Sequence, residues 1–150
     1  MTLKVASASE YKELTELFFE VYDSVPNKAE FNWPMENIQI ELVMSAFLIC
    51  RDENDRICGF IAYRNNDDVY EIMALGTARW ARRKNVMSLL LRELQDNSRK
   101  ASKPLLLEVH SHNHSAISLY QKSGFKQIGI RKAYYLDRSD ALTFQYIEHI

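Results

Sequence analysis

The chain is poor in the residues that break or staple a fold. Its 150 residues include four glycines, three prolines and two cysteines. Two cysteines make no disulfide framework, and thiols in a reducing compartment stay reduced. Cys50 and Cys58 flank the turn DENDR, where free buried thiols are expected, and the sequence leaves open whether they pair. No glycine lies between Gly76 and Gly124. That stretch therefore lacks the glycine-rich loop that lets a backbone approach a phosphate closely. No apolar run approaches the roughly 18 residues that a membrane helix requires. The start, MTLKVASASEYKELTE, has no apolar core of the signal-peptide kind. Charge of one sign is also missing. Nineteen basic residues face twenty acidic ones, for a net charge of −1, so no strong attraction to nucleic acid or membranes is expected. These absences favour the cytoplasm.

What is present suits one globular domain over residues 1–150. Hydrophobic residues make up 47% and charged residues 26%, ordinary values for a folded chain. A chain this long buries roughly 70% of its unfolded surface and needs no metal or disulfide staple. There is no internal repeat. Thr2–Ala6 reads as a strand. Leu14, Leu17, Phe18, Val21 and Val25 then recur at helical spacing up to Pro26, and PMENIQIELVMSA reads as a second helix. AFLIC and ICGFIAYR form a hairpin around DENDR, and VYEIMALGT is a further strand. The basic loop ARWARRKN leads into the amphipathic helix VMSLLLRELQDNSRKA. LLLEVH is a strand, and Asn113 caps a short helix that ends at Gly124. FKQIGIR and ALTFQYIEH close the chain as strands. The order β-α-α-β-β-β-α-β-α-β-β predicts an α/β fold with a mixed, mostly antiparallel sheet of about seven strands and four helices. The last strand is apolar enough to pair with another chain, so a monomer or a weak homodimer is expected.

This order, with IMALGTARWARRKNVMSLLL, LLLEVHSHNHSAISLYQKSGF and IRKAYY, resembles the GNAT family of acetyl-CoA-dependent N-acyltransferases. Within it the chain is most similar to protein N-terminal acetyltransferases, including the bacterial enzymes that acetylate the N-terminal alanine of a ribosomal protein. The resemblance implies acetyl-CoA as acyl donor, no metal, and a protein N-terminus as acceptor. A small amine or polyamine is the alternative acceptor.

Acyl transfer from a thioester to an amine needs a base for the ammonium, N–H donors for the oxyanion and an acid for the thiolate. Glu108 sits mid-strand in LLLEV, where a carboxylate is either paired or turned towards a cleft. The resemblance makes it the base. Glu71 alternates with Val69, Met73 and Leu75 and by itself reads as a surface glutamate; the resemblance makes it a second base or a contact for the acceptor. Tyr120 follows Ile117 by one helical turn, a spacing typical of core packing, but the resemblance makes it the acid. Backbone groups at Met73, Ala74 and Leu75 are the expected donors to the thioester. The family's pyrophosphate loop falls on Arg82, Arg83, Lys84, Asn85, Val86 and Met87, with Asn85 and Met87 where glycines belong. Asparagine tolerates the left-handed backbone, whereas Met87 threatens to crowd the phosphates. This departure leaves a non-catalytic binding module as the rival reading. The resemblance adds Asn113 to the cofactor contacts, and Phe31, Trp33, Tyr134 and Tyr135 to the acceptor contacts. His110, His112 and His114 would suit zinc only if the strand ran on, and Asn113 is expected to turn the chain first. The histidines are accordingly read as incidental.

Overall fold

The computed structural model describes residues 1–23 and 35–147. In chain order the elements are β1 (Thr2–Val5), α1 (Tyr11–Asp23), α2 (Met35–Met44), β2 (Ala46–Arg51), β3 (Ile57–Asn65), β4 (Tyr70–Thr77), α3 (Val86–Lys100), β5 (Leu105–His110), α4 (His114–Lys122), β6 (Lys126–Arg131) and β7 (Ala141–Tyr146). Short 3-10 turns lie at Ala8–Glu10 and Arg79–Ala81. The seven strands form one sheet in the order β1-β2-β3-β4-β5-β7-β6. Every neighbouring pair is antiparallel except β4 and β5. The expected fold class and element order therefore hold. Among the described residues no helix is long and apolar enough to cross a membrane.

Helices cover both faces of the sheet. On one face α1 seats Phe18 against Phe60, with ring centroids 4.9 Å apart, and against Phe47 at 6.1 Å. On the same face α2 is fixed by a buried carboxylate: Arg64 donates to Glu41 at 2.6 Å, and the Ser45 hydroxyl bonds the same group. On the opposite face α3 buries Leu90, Leu91 and Leu94, the stripe that its amphipathic pattern predicts. It approaches β3 so closely that a Cβ on Gly59 would stand 2.6 Å from Val86 Cγ1. That contact is why one of the few glycines sits there. Cys50 and Cys58 are buried free thiols, and the Cys58 thiol donates to the Cys50 carbonyl at 3.2 Å. Burial pushes the Cys58 thiol up to about 12, so it stays protonated and unreactive.

Two features of β4 position the site. Ala62 pairs with Ala74 but Tyr63 pairs with Ile72, so Met73 has no partner on β3 and forms a bulge. The bulge resets the alternation of side chains. Glu71 opposes Arg64, whose guanidinium holds Glu41 of α2, and a Cβ on Gly76 would meet Val21 of α1. Glu71 thus shares the α1–α2 face with Gly76 and not with Met73 and Leu75, as unbroken alternation would have it. The second feature is the short parallel pairing: Tyr70, Glu71 and Ile72 face Leu105, Leu106 and Leu107, and there it stops. Both strands continue, to Thr77 and to His110, so they part.

The start of α1 is anchored by charge. Glu10 meets Lys4 at 2.9 Å and Arg51 at 2.9 Å, and accepts from the Ser7 N–H at 3.0 Å. Glu13 accepts from Arg51 and from the Ile57 N–H. Lys4, the Ser7 N–H and Arg51 outweigh burial and hold the Glu10 carboxyl down at about 2, against 4.5 when free. Its stabilisation is complete above about pH 4.5 and is lost as the pH falls towards 2. Glu10→Gln is expected to cost roughly 1–2 kcal/mol at neutral pH, discounted for the half-exposed Lys4. Urea denaturation across that acid range should show the difference from wild type shrinking as the pH falls.

Candidate active site

Where β4 and β5 separate, side chains from two helices, two strands and one loop approach one another. Tyr22 of α1, which the sequence did not single out, donates its hydroxyl to the Leu75 carbonyl at 3.1 Å. Its helical spacing reads as core, and only the parting of the strands reveals it. Burial pushes its phenol up to about 12. Tyr120 comes from α4 and is 5% exposed, with its ring against Phe125 and Phe144. Burial raises its phenol well above the ordinary value, and the phenols of Tyr22 and Tyr135 add to the effect. Its hydroxyl makes no hydrogen bond within the described residues, and because no buried side-chain oxygen there lacks a partner, this hydroxyl is not sealed from solvent. The ring is buried while its protonated hydroxyl stays uncommitted and reachable.

Glu108 is partly buried on β5, just beyond the last pair with β4. It is salt-bridged, as a mid-strand glutamate can be: Arg131 Nε lies 3.0 Å from its Oε1. The arginine side chain is 60% exposed, so this ion pair is wet and weak. Glu71 pairs with Leu106, and Leu106 and Glu108 are two residues apart on one strand. Both carboxylates therefore line the α1–α2 face. No described residue pairs with Glu71.

Tyr134 and Tyr135 lie in the segment between β6 and β7. The Arg131 guanidinium is 5.5 Å from the Tyr134 ring, and the two tyrosine rings meet edge to face at 5.3 Å. Burial, with the Glu108 carboxylate next, pushes the Tyr135 phenol up to about 12. Phe31 and Trp33 lie outside the described residues. His110, His112 and Asp137 offer ligand atoms within 4.8 Å of one another. Metal-binding histidines donate their second ring N–H to an acceptor. Here the Nδ1 of His110 instead faces a donor, the His112 backbone N–H, at 3.0 Å. Nε2 must then carry the proton, which goes to Asp137 at 3.0 Å. The cluster is built for hydrogen bonding rather than for a metal. His110 is 2% exposed and is a structural part of the site, where the sequence suggested an incidental residue.

The 82–87 loop accommodates its missing glycines. Asn85 takes the left-handed backbone, with φ 60°, as its residue type allows. Arg83 does the same at φ 66°, a strained choice for a long side chain. Met87 turns inward and packs on the core, so it does not crowd the loop. Arg82, Arg83, Lys84 and Asn85 are exposed. The first turn of α3 has no acidic residue, and the Asn85 side chain makes no capping bond. Its leading N–H groups are thus open to an anion. Asn113, in contrast, closes the start of α4 by accepting from the Ala116 N–H at 3.3 Å.

Comparison with known proteins decides the family: residues 9–125 match the model of the Acetyltransferase (GNAT) family. The chain belongs to that family. The N-alpha-acetyltransferase RimI of Mycobacterium tuberculosis is 34% identical over 77 residues, 51% of this chain and 48% of the relative. The match thus spans about half the length of that relative. The ribosomal-protein-S18-alanine N-acetyltransferase from Escherichia coli superposes with a TM-score of 0.80 at 20% identity, over 96% of this chain and 91% of that one. Naa20 of Chaetomium thermophilum, solved with a bisubstrate analogue, gives 0.74 at 18% identity, over 97% and 85%. These likenesses establish the GNAT fold for the chain.

The loop geometry makes a prediction. Asn85→Gly should be neutral in thermal melting. Asn85→Val, whose branched side chain resists positive φ, should lose roughly 1–2 kcal/mol.

Proposed function

We propose that this protein is an N-acetyltransferase that moves the acetyl group of acetyl-CoA to a primary amine. Its acceptor is the N-terminal α-amine of a protein or peptide, with a ribosomal protein among the candidates. The observation that carries this reading is Tyr120, whose buried ring presents a reachable hydroxyl, uncommitted among the described residues, beside the parting of β4 and β5.

The chemistry follows from the residues in place. The open N–H groups at the start of α3 and the charges of Arg82, Arg83 and Lys84 hold the pyrophosphate, and Asn113 lies on the same side. The thioester lies along Met73–Leu75, where β4 has lost its neighbour and backbone N–H groups can face the oxyanion. The acceptor arrives as an ammonium ion. Glu108, with Glu71 on the same face, draws it in and takes its proton, directly or through water. The neutral nitrogen attacks the carbonyl carbon and the C–N bond forms; the adduct nitrogen gives its second proton to solvent, and collapse of the adduct breaks C–S and leaves a neutral amide. The sulfur takes the Tyr120 proton. Burial that raises the phenol also raises the proton affinity of a thiolate beside it, so the two remain matched. The proton held by Glu108 then returns to the phenol through solvent.

Tyr134 and Tyr135 supply phenols for the peptide backbone, and the acidic face suits a cationic N-terminus. The names of the relatives, an N-alpha-acetyltransferase and an S18-alanine N-acetyltransferase, support this choice of acceptor. The site as read draws on one chain, consistent with a monomer or weak homodimer in the cytoplasm.

Calorimetry with acetyl-CoA is expected to give micromolar affinity, weakened at least tenfold by Arg82→Ala with Arg83→Ala. Absence of binding up to millimolar acetyl-CoA would contradict the proposal. With a short peptide acceptor, Glu108→Gln and Tyr120→Phe should each lower kcat by roughly 10²-fold while acetyl-CoA affinity holds. Retention of full kcat by Tyr120→Phe would remove the phenol from the chemistry.

A further inference from the structure

The neutral His110 has no part in the reaction as written, yet it is more deeply buried than either carboxylate. It stands at the end of β5, two residues beyond Glu108 and on the same face of the sheet. Its Nε2–H donates to Asp137 at 3.0 Å, across 27 residues of chain. Its ring lies on the Tyr135 ring, with centroids 4.7 Å apart and planes inclined by 30°. The Asp137 carboxylate also accepts from the Ser139 N–H at 2.9 Å. Burial opposes its charge, but the Ser139 N–H and His110 outweigh burial and hold it below the usual carboxylate range. The rest of the segment is braced on itself: Asp140 accepts from the Ala133 N–H at 2.9 Å, and the Tyr135 N–H reaches the Ser139 carbonyl at 3.2 Å. Leu136 and Tyr134 stay exposed at 87% and 55%. Beyond the Tyr135 ring on His110, apolar burial does little to fix the segment. Docking at the end of β5 falls to Asp137 on His110, aided by the Ser111 N–H to the Asp140 carbonyl at 2.9 Å and by a longer contact of Ser139 Oγ with His112 Nδ1 at 3.4 Å.

We propose that His110 and Asp137 form a latch that fixes the 132–140 segment over the Glu108 end of the cleft. His110 is thereby a positioning residue for the acceptor. The claim about the acceptor rests on the function proposed above; the claim about the segment does not. The latch works with a neutral imidazole, because the His112 N–H needs Nδ1 as an acceptor. Glu108, Arg131 and Asp137 are the charged groups around it, and Tyr135 covers its ring. Without the latch, the Tyr134 and Tyr135 phenols lose their fixed place relative to Glu108. A peptide then binds less well, while the acetyl-CoA side, built on β4 and α3, is untouched.

Asp137→Ala tests this at an exposed position where folding is not at stake. Hydrogen exchange should speed up at the Ala133 and Tyr135 amides. The KM for a peptide acceptor should rise by roughly tenfold, with acetyl-CoA affinity, kcat and melting temperature close to wild type. His110→Asn, which keeps an acceptor for the His112 N–H but cannot reach Asp137, should behave likewise. His110→Gln, which keeps a donor towards Asp137, should recover most of the loss. Unchanged exchange and unchanged acceptor KM in Asp137→Ala would overturn the latch. So would an equal loss of acetyl-CoA affinity, which indicates general damage. If the wild-type protein acetylates nothing, the proposed function fails, and the exchange measurement alone still decides the latch.

Discussion

The arrangement depends on one constraint: β4 and β5 are parallel neighbours that remain paired for only three residues. A parallel ladder normally runs on under cover from both sides. Here β4 is bulged at Met73, at the point where the pairing ends. β5 is pulled the other way by an antiparallel ladder to β7 that continues to His110. The sheet thus opens in its middle. Groups from both faces then reach the same point: Tyr22 from the α1 side, and Tyr120 from the α4 side. An opening between strands also provides backbone N–H groups that no neighbouring strand has claimed, which an oxyanion site requires.

Charge and burial divide the work around that opening. The phenols of Tyr22, Tyr120 and Tyr135 are all raised by burial, so each enters neutral chemistry as a hydrogen-bond donor. The carboxylates sit towards the α1–α2 face, where Glu108 keeps a wet ion pair with Arg131. In the proposed reaction the acid, Tyr120, and the base, Glu108, come from opposite sides of the sheet. The basic 82–87 loop is separate from both and stands at the open start of α3.

The fold was largely legible because hydrophobic period and turn residues agree in nearly every element. The site was legible in part. Glu108, Tyr120 and the basic loop stood out by residue type and by resemblance. Tyr22 did not, because an aromatic at helical spacing on α1 looks the same whether it packs or points into a cleft. The face of Glu71 was misread, because a bulge inserts one residue into the alternation and leaves no compositional mark at Met73. The backbone answers the absent glycines at two places: Asn85 adopts a left-handed φ, and Met87 finds room in the core. His110 looked incidental because its partner, Asp137, is 27 residues away, and only the β5–β7 register brings them together.

The most direct test of the account is where the acetyl group goes. A peptide with a free N-terminus and an internal lysine, incubated with the protein and acetyl-CoA, can be mapped by fragment mass spectrometry. The account predicts one acetyl group, on the N-terminal α-amine. Acetylation of the lysine instead, or of small polyamines in preference to the peptide, would contradict the assigned acceptor. No acetyl transfer to any amine would contradict the enzyme itself.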